Sequence, residues 1–213
     1  MSASPIFIIT GTDTDIGKTI FASALVGALN AHYWKPVQSG YDAAMESDSA
    51  TVARLSGVQP SQILPEAYRL KTPCSPHLSA ELDGVMIDTA RLTPPVVQGP
   101  LIIEAAGGVM VPLTRDTLYV DQFMTWSLPV ILVARTSLGT INLSLLSIEA
   151  MKRRGIMMHG IAFVGEANED NEALITDFAG VKRLGRLPLI DPLNRATLAS
   201  AFHAHFRLED FSA

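Results

Sequence analysis

A segment of nine residues, from Gly11 to Thr19, contains the residue types that bind a polyphosphate. It reads GTDTDIGKT, which is a glycine, five residues, and then Gly-Lys-Thr. In such a loop the backbone N–H groups surround phosphate oxygens, the lysine neutralises the β and γ phosphates, and the threonine hydroxyl ligates Mg²⁺. The spacing is one residue longer than the common form, so we interpret the loop as a variant. A plain glycine-rich turn is the alternative, and it would leave Lys18 unexplained.

Two acidic residues and one lysine could act beside this loop. Glu104 ends the apolar run that starts at Leu101, and parallel sheets bind ligands at the carboxyl ends of their strands. We therefore predict that Glu104 ligates Mg²⁺; the alternative is a strand-end carboxylate satisfied by nearby N–H groups. Lys35 follows a predicted second strand and could offset charge on an anionic intermediate, although alone such a residue is more often a surface lysine. Asp48 alone indicates only an acid in the first turn of a helix.

These residues need strands and helices that bring them to one edge of a sheet. Apolar runs without polar alternation predict strands that are buried on both faces, and helical patterns separate these runs. The predicted strands are 6–10, 101–104, 129–134 and 160–164, and the predicted helices are 19–30, 117–126, 142–154, 171–179 and 195–206. This alternation predicts an α/β fold with three layers, in which a mainly parallel central sheet has helices on both faces. We expect a single domain over residues 1–213.

Two segments carry more local predictions. Asn142 is predicted to cap the helix that follows it, and Gly155 to end that helix. From Gln59 to Pro95, six prolines interrupt every regular pattern, so we predict an irregular excursion within the domain.

Composition excludes several classes of protein. The chain has 213 residues, of which 48% are hydrophobic and 17% charged, and its net charge is −5. Disorder is therefore excluded, and no basic surface is available for nucleic acid or an anionic membrane. The longest stretch without a charged residue, Thr19 to Trp34, has 16 residues, fewer than the roughly 20 of a membrane helix. A single cysteine, Cys74, and a start unlike a secretory signal predict a cytoplasmic protein.

Taken together, the motifs resemble those of dethiobiotin synthetases, which are P-loop NTPase-like enzymes of biotin biosynthesis. The resemblance covers most of the chain, and the combination of motifs is much rarer than the loop alone. It rests on GTDTDIGKT (11–19), KPVQSG (35–40), SPHL (75–78), EAAGGVMVPL (104–113), LGTIN (138–142) and LGRLP (184–188).

The resemblance implies a homodimer that joins 7,8-diaminononanoate to CO₂ with MgATP and binds the diamine between its subunits. One amine would form a carbamate, ATP would phosphorylate it to a carbamic-phosphoric anhydride, and the second amine would close a cyclic urea with release of phosphate. These steps need charge stabilisation and positioning more than a protein nucleophile.

The resemblance also assigns roles to residues. Lys18 and Lys35 are the catalytic candidates, Lys18 on the phosphates and Lys35 on the carbamate. Thr19, Asp48 and Glu104 would hold Mg²⁺. Thr14, Lys35 and Ser39 would face the diamine or carbamate, while Gly139, Thr140 and Asn142 of each subunit would hold the carboxylate of the substrate bound to the other. The nucleotide-binding candidates are Asp15, Ile16, Gly17, Lys18, Thr19, Ile20, Asp48, Glu104, Gly107, Pro188, Leu189 and Ile190.

The chain departs from the family pattern at two positions. Ala105 stands where the family usually has glycine, which would weaken binding if that position needed a positive φ. Val164 stands where the family commonly has an asparagine that hydrogen-bonds adenine, and valine cannot make that contact. We therefore expect the enzyme to discriminate weakly between bases, or to use backbone groups near residues 188–190.

Two other functions stay open. One is a related P-loop amide synthetase or kinase that acts on another small acid. The other is a regulatory ATPase of the partition type, which would bind partners or membranes; against it, the C-terminal segment carries Glu209 and Asp210 rather than a basic amphipathic tail. His77 is interpreted as a packing or hydrogen-bonding residue, and His203 and His205 as part of a solvated helix end.

Overall fold

A computed structural model of the chain describes residues 4–41 and 46–212. A sheet of seven parallel strands forms its centre, in the order β4-β2-β6-β1-β7-β8-β9, and β3 and β5 form a second parallel pair. The strands are β1 Ile6–Gly11, β2 His32–Trp34, β3 Val37–Ser39, β4 Ile63–Leu64, β5 Tyr68–Leu70, β6 Leu101–Gly108, β7 Val130–Arg135, β8 Met158–Val164 and β9 Arg183–Leu187. The helices are α1 Lys18–Leu29, α2 Asp48–Ser56, α3 Pro76–Leu82, α4 Tyr119–Trp126, α5 Thr140–Lys152, α6 Glu169–Ala179 and α7 Arg195–His205.

The central strands are buried on both faces, because successive side chains enter different cores. In β1, Ile8 belongs to one core, whereas Phe7 and Ile9 belong to the other. The core on the side of Ile8 includes apolar residues of α4, α5 and α6, and the opposite core includes residues of α1, α2 and α7. The predicted α/β fold with three layers is therefore confirmed. Each fully buried Phe or Ile contributes about 1.5–3 kcal/mol to this packing.

The sheet brings the predicted site residues to one edge. In a parallel sheet all strands end on the same side, and β6 lies between β1 and β2. Trp34 of β2 pairs with Ile103 of β6, so the next residues, Lys35 and Glu104, lie at the same level. The loop after β1 lies on the other side of β6 from Lys35.

Of three local predictions, two are wrong and one is confirmed. Helix α5 begins at Thr140, two residues before the predicted start, and its N-cap is Gly139, with φ of 93°, rather than Asn142. The helix ends at Lys152, and Gly155, with φ of 67°, closes its end as predicted: the N–H groups of Gly155 and Ile156 donate to the backbone oxygens of Lys152 and Met151. The segment 59–95 is more regular than expected, because α3 and the short strands β4 and β5 fit between its prolines. Pro76 occupies the first turn of α3, where its missing N–H costs no hydrogen bond.

None of the helices in the described ranges is long and apolar enough to cross a membrane.

Candidate functional site

The loop between β1 and α1 has a backbone suited to binding an anion. Asp15 and Gly17 both adopt a positive φ, of 54° and 92°, and Gly17 is the N-cap of α1. Since glycine has no side chain, it cannot cap the first N–H groups of the helix, which remain available to phosphate oxygens. A Cβ atom on Gly17 would lie 2.7 Å from Val164 Cγ1. Both the backbone angle and this close approach therefore require glycine.

Lys18 folds back over its own loop. Its Nζ donates a hydrogen bond to the backbone oxygen of Asp13 at 2.6 Å, and only 7% of the residue is exposed. Burial, reinforced by the positive charge of Lys35, lowers the pKa of Lys18 to about 8. The positive charge of the Lys18 ammonium is therefore only partly neutralised by its neighbours, and a bound phosphate would neutralise it.

Three oxygen ligands converge beside the start of α1. Thr19 Oγ1 lies 2.8 Å from Glu104 Oε1 and 3.1 Å from Asp48 Oδ1. A hydroxyl and two carboxylates are ligands that suit Mg²⁺, which usually keeps several waters or phosphate oxygens besides a few protein ligands. The donor set therefore fits the metal. Within the described ranges, no group of three or more His, Cys, Asp or Glu side chains could hold a metal by itself.

Lys35 balances the two carboxylates. Its Nζ lies 2.5 Å from Asp48 Oδ2 and 3.2 Å from Glu104 Oε1, and it also donates to the backbone oxygen of Ala105 at 3.2 Å. Burial by itself would lower the pKa of Lys35, but the attraction of Glu104 and Asp48 outweighs it and raises that pKa. Lys35 is therefore a permanent buried cation at the end of β2.

The carboxylates respond differently to the same surroundings. Burial raises the pKa of Glu104, which is fully buried, although Lys35 opposes this effect. Burial also acts on Asp48, but Lys35 and Thr19 more than compensate and lower its pKa. Asp48 therefore carries the more stable negative charge of the pair.

Two further residues of this cluster escape the sequence analysis. Tyr33 donates its hydroxyl hydrogen to Glu104 Oε2 at 2.9 Å. Gln38 accepts from the Asp48 N–H at 3.1 Å and donates to the backbone oxygen of Gly40 at 2.8 Å, which connects KPVQSG to the start of α2. Gln38 stands in a quoted motif and could have been singled out there. Tyr33 gives no such signal, because it reads as one more apolar residue of a buried strand.

Comparison with known proteins identifies the family. A family model described as an AAA domain matches residues 6–197. Curated relatives called ATP-dependent dethiobiotin synthetase BioD come from Novosphingobium aromaticivorans, with 59% identity over 97% of this chain and 98% of the relative, and from Agrobacterium fabrum, with 58% identity over 96% of both. A third, from Rhodopseudomonas palustris, is 56% identical over 99% of this chain and 100% of the relative. The chain belongs to the dethiobiotin synthetase family.

Solved structures of distant proteins share the fold. A ParA family ATPase from Chlorobium tepidum TLS superposes with a TM-score of 0.53 at 13% identity, over 95% of this chain and 92% of that chain. The MinC:MinD cell division complex of Aquifex aeolicus gives 0.50 at 11% identity, over 93% and 86% of the two chains.

The residues that the dethiobiotin synthetase pattern singles out fall into three groups. A crevice of about 880 Å³ is lined by Thr14, Asp15, Ile16, Gly17, Lys18, Thr19, Ile20, Lys35, Ser39, Asp48, Glu104 and Gly107. An adjoining cavity of about 690 Å³ is lined by Asp15, Ile16, Gly17 and Ile20 together with Pro188, Leu189 and Ile190. The third group, Gly139, Thr140 and Asn142, is absent from the linings of both.

The two departures from the dethiobiotin synthetase pattern have different outcomes. Ala105 is fully buried in the core, and the positive φ, of 67°, falls on Gly107 instead. The methyl group of Ala105 therefore meets no backbone strain. Val164 lines the second cavity and packs close to Gly17. It supplies an apolar surface to that cavity and no hydrogen-bonding group.

Proposed function

We propose that the protein is an ATP-dependent dethiobiotin synthetase, a ligase that forms carbon–nitrogen bonds in biotin biosynthesis. The observation that carries this proposal is the cluster of Lys35, Asp48 and Glu104 beside Lys18 and Thr19 of the phosphate loop, within one crevice. It occurs in a chain with 55–59% identity over nearly its full length to relatives of that name. The distant structures share the fold alone and do not favour a regulatory ATPase.

The substrates are 7,8-diaminononanoate, CO₂ or bicarbonate, and ATP. One amine nitrogen attacks the carbon of CO₂ and loses a proton, giving a carbamate. A carbamate oxygen then attacks the γ phosphorus of ATP, and ADP leaves. Finally the second amine attacks the carbonyl carbon of the anhydride, the C–O bond breaks, and phosphate departs with closure of the urea ring.

Lys35 is placed to stabilise the negative charge of the carbamate and of the anhydride. Its ammonium is buried and permanently charged, and a cation in a water-excluded site stabilises an anion more strongly than one in water. Lys18 and the N–H groups at the start of α1 bind the phosphates. Thr14 and Ser39, which line the same crevice, face the diamine or carbamate.

Thr19, Asp48 and Glu104 are the residues that would hold Mg²⁺, since their oxygens converge. When bound, Mg²⁺ neutralises charge on the β and γ phosphates.

We further propose a homodimer in which Gly139, Thr140 and Asn142 hold the substrate carboxylate bound to the other subunit. In support, these residues line neither cavity of their own chain. The neighbouring Leu138 is 98% exposed, although it is a large apolar residue. A helix start such as that of α5 favours a carboxylate. The cytoplasmic location stays a prediction.

A product assay tests the proposed function. Incubation of the protein with diaminononanoate, bicarbonate, ATP and Mg²⁺ should yield dethiobiotin and ADP in equal amounts, and omission of Mg²⁺ should abolish both. ATP hydrolysis at a rate that ignores the diamine would contradict the proposal and favour a regulatory ATPase. Phosphorylation of a different small acid would favour the related synthetase or kinase.

A further inference from the structure

Arg135 is the last residue of β7, the strand that pairs with β1 on the side opposite β6. It lines the 690 Å³ cavity together with Ile16 and Gly17 of the phosphate loop. A Cβ atom on Gly139 would lie 4.0 Å from Arg135 Nη2, so the guanidinium also lies near the start of α5. Arg135 thus stands between the phosphate loop and the segment that we expect to hold a carboxylate.

The guanidinium of Arg135 has no partner among the residues that the structure describes. Its Nε is shielded from solvent and lacks a hydrogen-bond acceptor. Asp15 and Glu166 line the same cavity, yet neither forms an ion pair with it. Apart from the pairing of β7 with β8, the backbone oxygen of Arg135 accepts a hydrogen bond from the Thr140 hydroxyl.

Two arginines of β9, by contrast, are paired. Arg186, on β9, has its Nε 2.9 Å from Glu172 Oε1, and Arg183 donates to the same carboxylate at 2.9 Å. A partly buried guanidinium without a counter-charge is costly, and its planar fork of donors matches a phosphate or a carboxylate. An arginine left unpaired in a ligand cavity therefore indicates that its partner is a ligand.

We propose that Arg135 binds an oxyanion of a reactant, either a phosphate of the nucleotide or the carboxylate of the diamine substrate. This inference rests on the proposed function, because that function supplies both anions. Arg135 shares a cavity lining with Gly17, at the start of α1, and lies close to Gly139, which belongs to the proposed carboxylate site. The two sources share one chemistry and can be separated by the choice of ligand.

Calorimetric titration of the full chain tests the assignment. The two anionic ligands are ADP and diaminononanoate. Adenosine, which lacks the phosphates, is the control for ADP, and a diamine of the same chain length without the carboxylate is the control for diaminononanoate. Arg135→Met removes the charge, Arg135→Lys keeps it without the fork, and Arg207→Met is a control at an exposed arginine. We expect Arg135→Met to weaken binding of one anionic ligand about 10- to 100-fold, with Arg135→Lys intermediate and Arg207→Met unchanged.

Each outcome decides the matter. A loss for ADP but not adenosine assigns Arg135 to the nucleotide phosphate, and a loss for diaminononanoate but not the carboxylate-free diamine assigns it to the carboxylate. If the affinities for both anions are unchanged, or if an anionic ligand and its control lose affinity equally, this inference is overturned while the proposed function stands. Failure of the unaltered protein to bind any of these ligands overturns the proposed function and this inference with it.

Discussion

Lys35 is held by groups that its own sequence neighbourhood does not contain. Glu104, one of its two carboxylate partners, is 69 residues away along the chain, and the second, Asp48, begins another helix. The strand-end position of Lys35 is visible in the sequence, and so are the candidate acids. The ion pairs depend on the adjacency of β2 and β6, which no local pattern specifies.

We expect Lys35→Ala to lower kcat on the order of 10²–10³-fold and to change the Kd for ATP by no more than about threefold. In the proposed mechanism, Lys35 contacts the charge that develops on the carbamate, whereas Lys18 and the loop hold the nucleotide. Single-turnover kinetics and calorimetry measure the two quantities. Equal losses in both would contradict the assigned role.

Removal of Lys35 leaves two carboxylates without their cation and could disturb the fold, so two further variants serve as controls. Lys35→Arg keeps the charge and should retain the fold while moving the cation, and Lys71→Ala is a control at an exposed lysine. A cooperative thermal transition for all three variants shows that a lost rate is not a lost fold.

At the scale of elements, the sequence predicts a helix or strand best where a single pattern determines it. The buried strands β1, β6, β7 and β8 follow from apolar runs, and each appears within a few residues of its predicted bounds. The start of α5 does not, because Gly139 with a positive φ begins the helix two residues before the side chain that resembled a cap. The short strands β4 and β5 lack enough residues to form a pattern.

Val164, at the end of β8, lines the 690 Å³ cavity and bears on which nucleoside triphosphates the enzyme accepts. The Val164 side chain offers no hydrogen bond to a base, and an apolar contact by itself discriminates between ligands by no more than about 10²-fold. We expect kcat/KM for ATP, GTP and CTP to agree within about tenfold, as measured by product formation with each donor.

Val164→Asn should raise the preference for ATP, and Val96→Asn, at a fully exposed valine, should leave the ratios unchanged. A strong preference for ATP in the unaltered enzyme would show that another group recognises the base.

The contact between β8 and the C-terminal segment gives the fold a dependence on pH. His159 lies 4.4 Å from the Phe7 ring, centroid to centroid, and its Nε2 is 2.6 Å from the backbone oxygen of Asp210. Burial, with a smaller effect of the positive Lys182, lowers the pKa of His159 even though Asp210 opposes the shift. The unfolded chain therefore binds this proton more readily, so the free energy of unfolding falls as the pH drops through about 6.5.

Urea unfolding at about pH 5.5 and pH 7.5 measures this loss. His159→Gln should show a smaller difference between the two pH values than the unaltered protein, and His203→Gln, at an exposed histidine, should show the same difference. An unchanged difference in His159→Gln would remove His159 as its source.

At the scale of the whole molecule, each active site of the proposed dimer would contain residues of both subunits. Lys35→Ala and Asn142→Ala should each be inactive as homodimers. After subunit exchange of an equal mixture, hybrid dimers retain one intact site, and activity should return to about a quarter of the unaltered level. A mixture of Lys35→Ala and Lys18→Ala should stay inactive, because both residues belong to the same chain's crevice.

Recovery in both mixtures, or in neither, would contradict the shared site. The single-domain organisation over residues 1–213 stays a prediction alongside the dimer.

The central position of β1 has a consequence for the order of events during synthesis. This strand leads into the phosphate loop and precedes the other described strands along the chain, yet its two neighbours are β6 and β7, which begin at Leu101 and Val130. The apolar segment Ile6–Gly11 therefore stays unpaired until synthesis has reached β6, which begins at Leu101. Parallel pairing over such separations is slow and exposes a nascent chain to aggregation. The nucleotide site is thus encoded early in the chain and assembled late in folding.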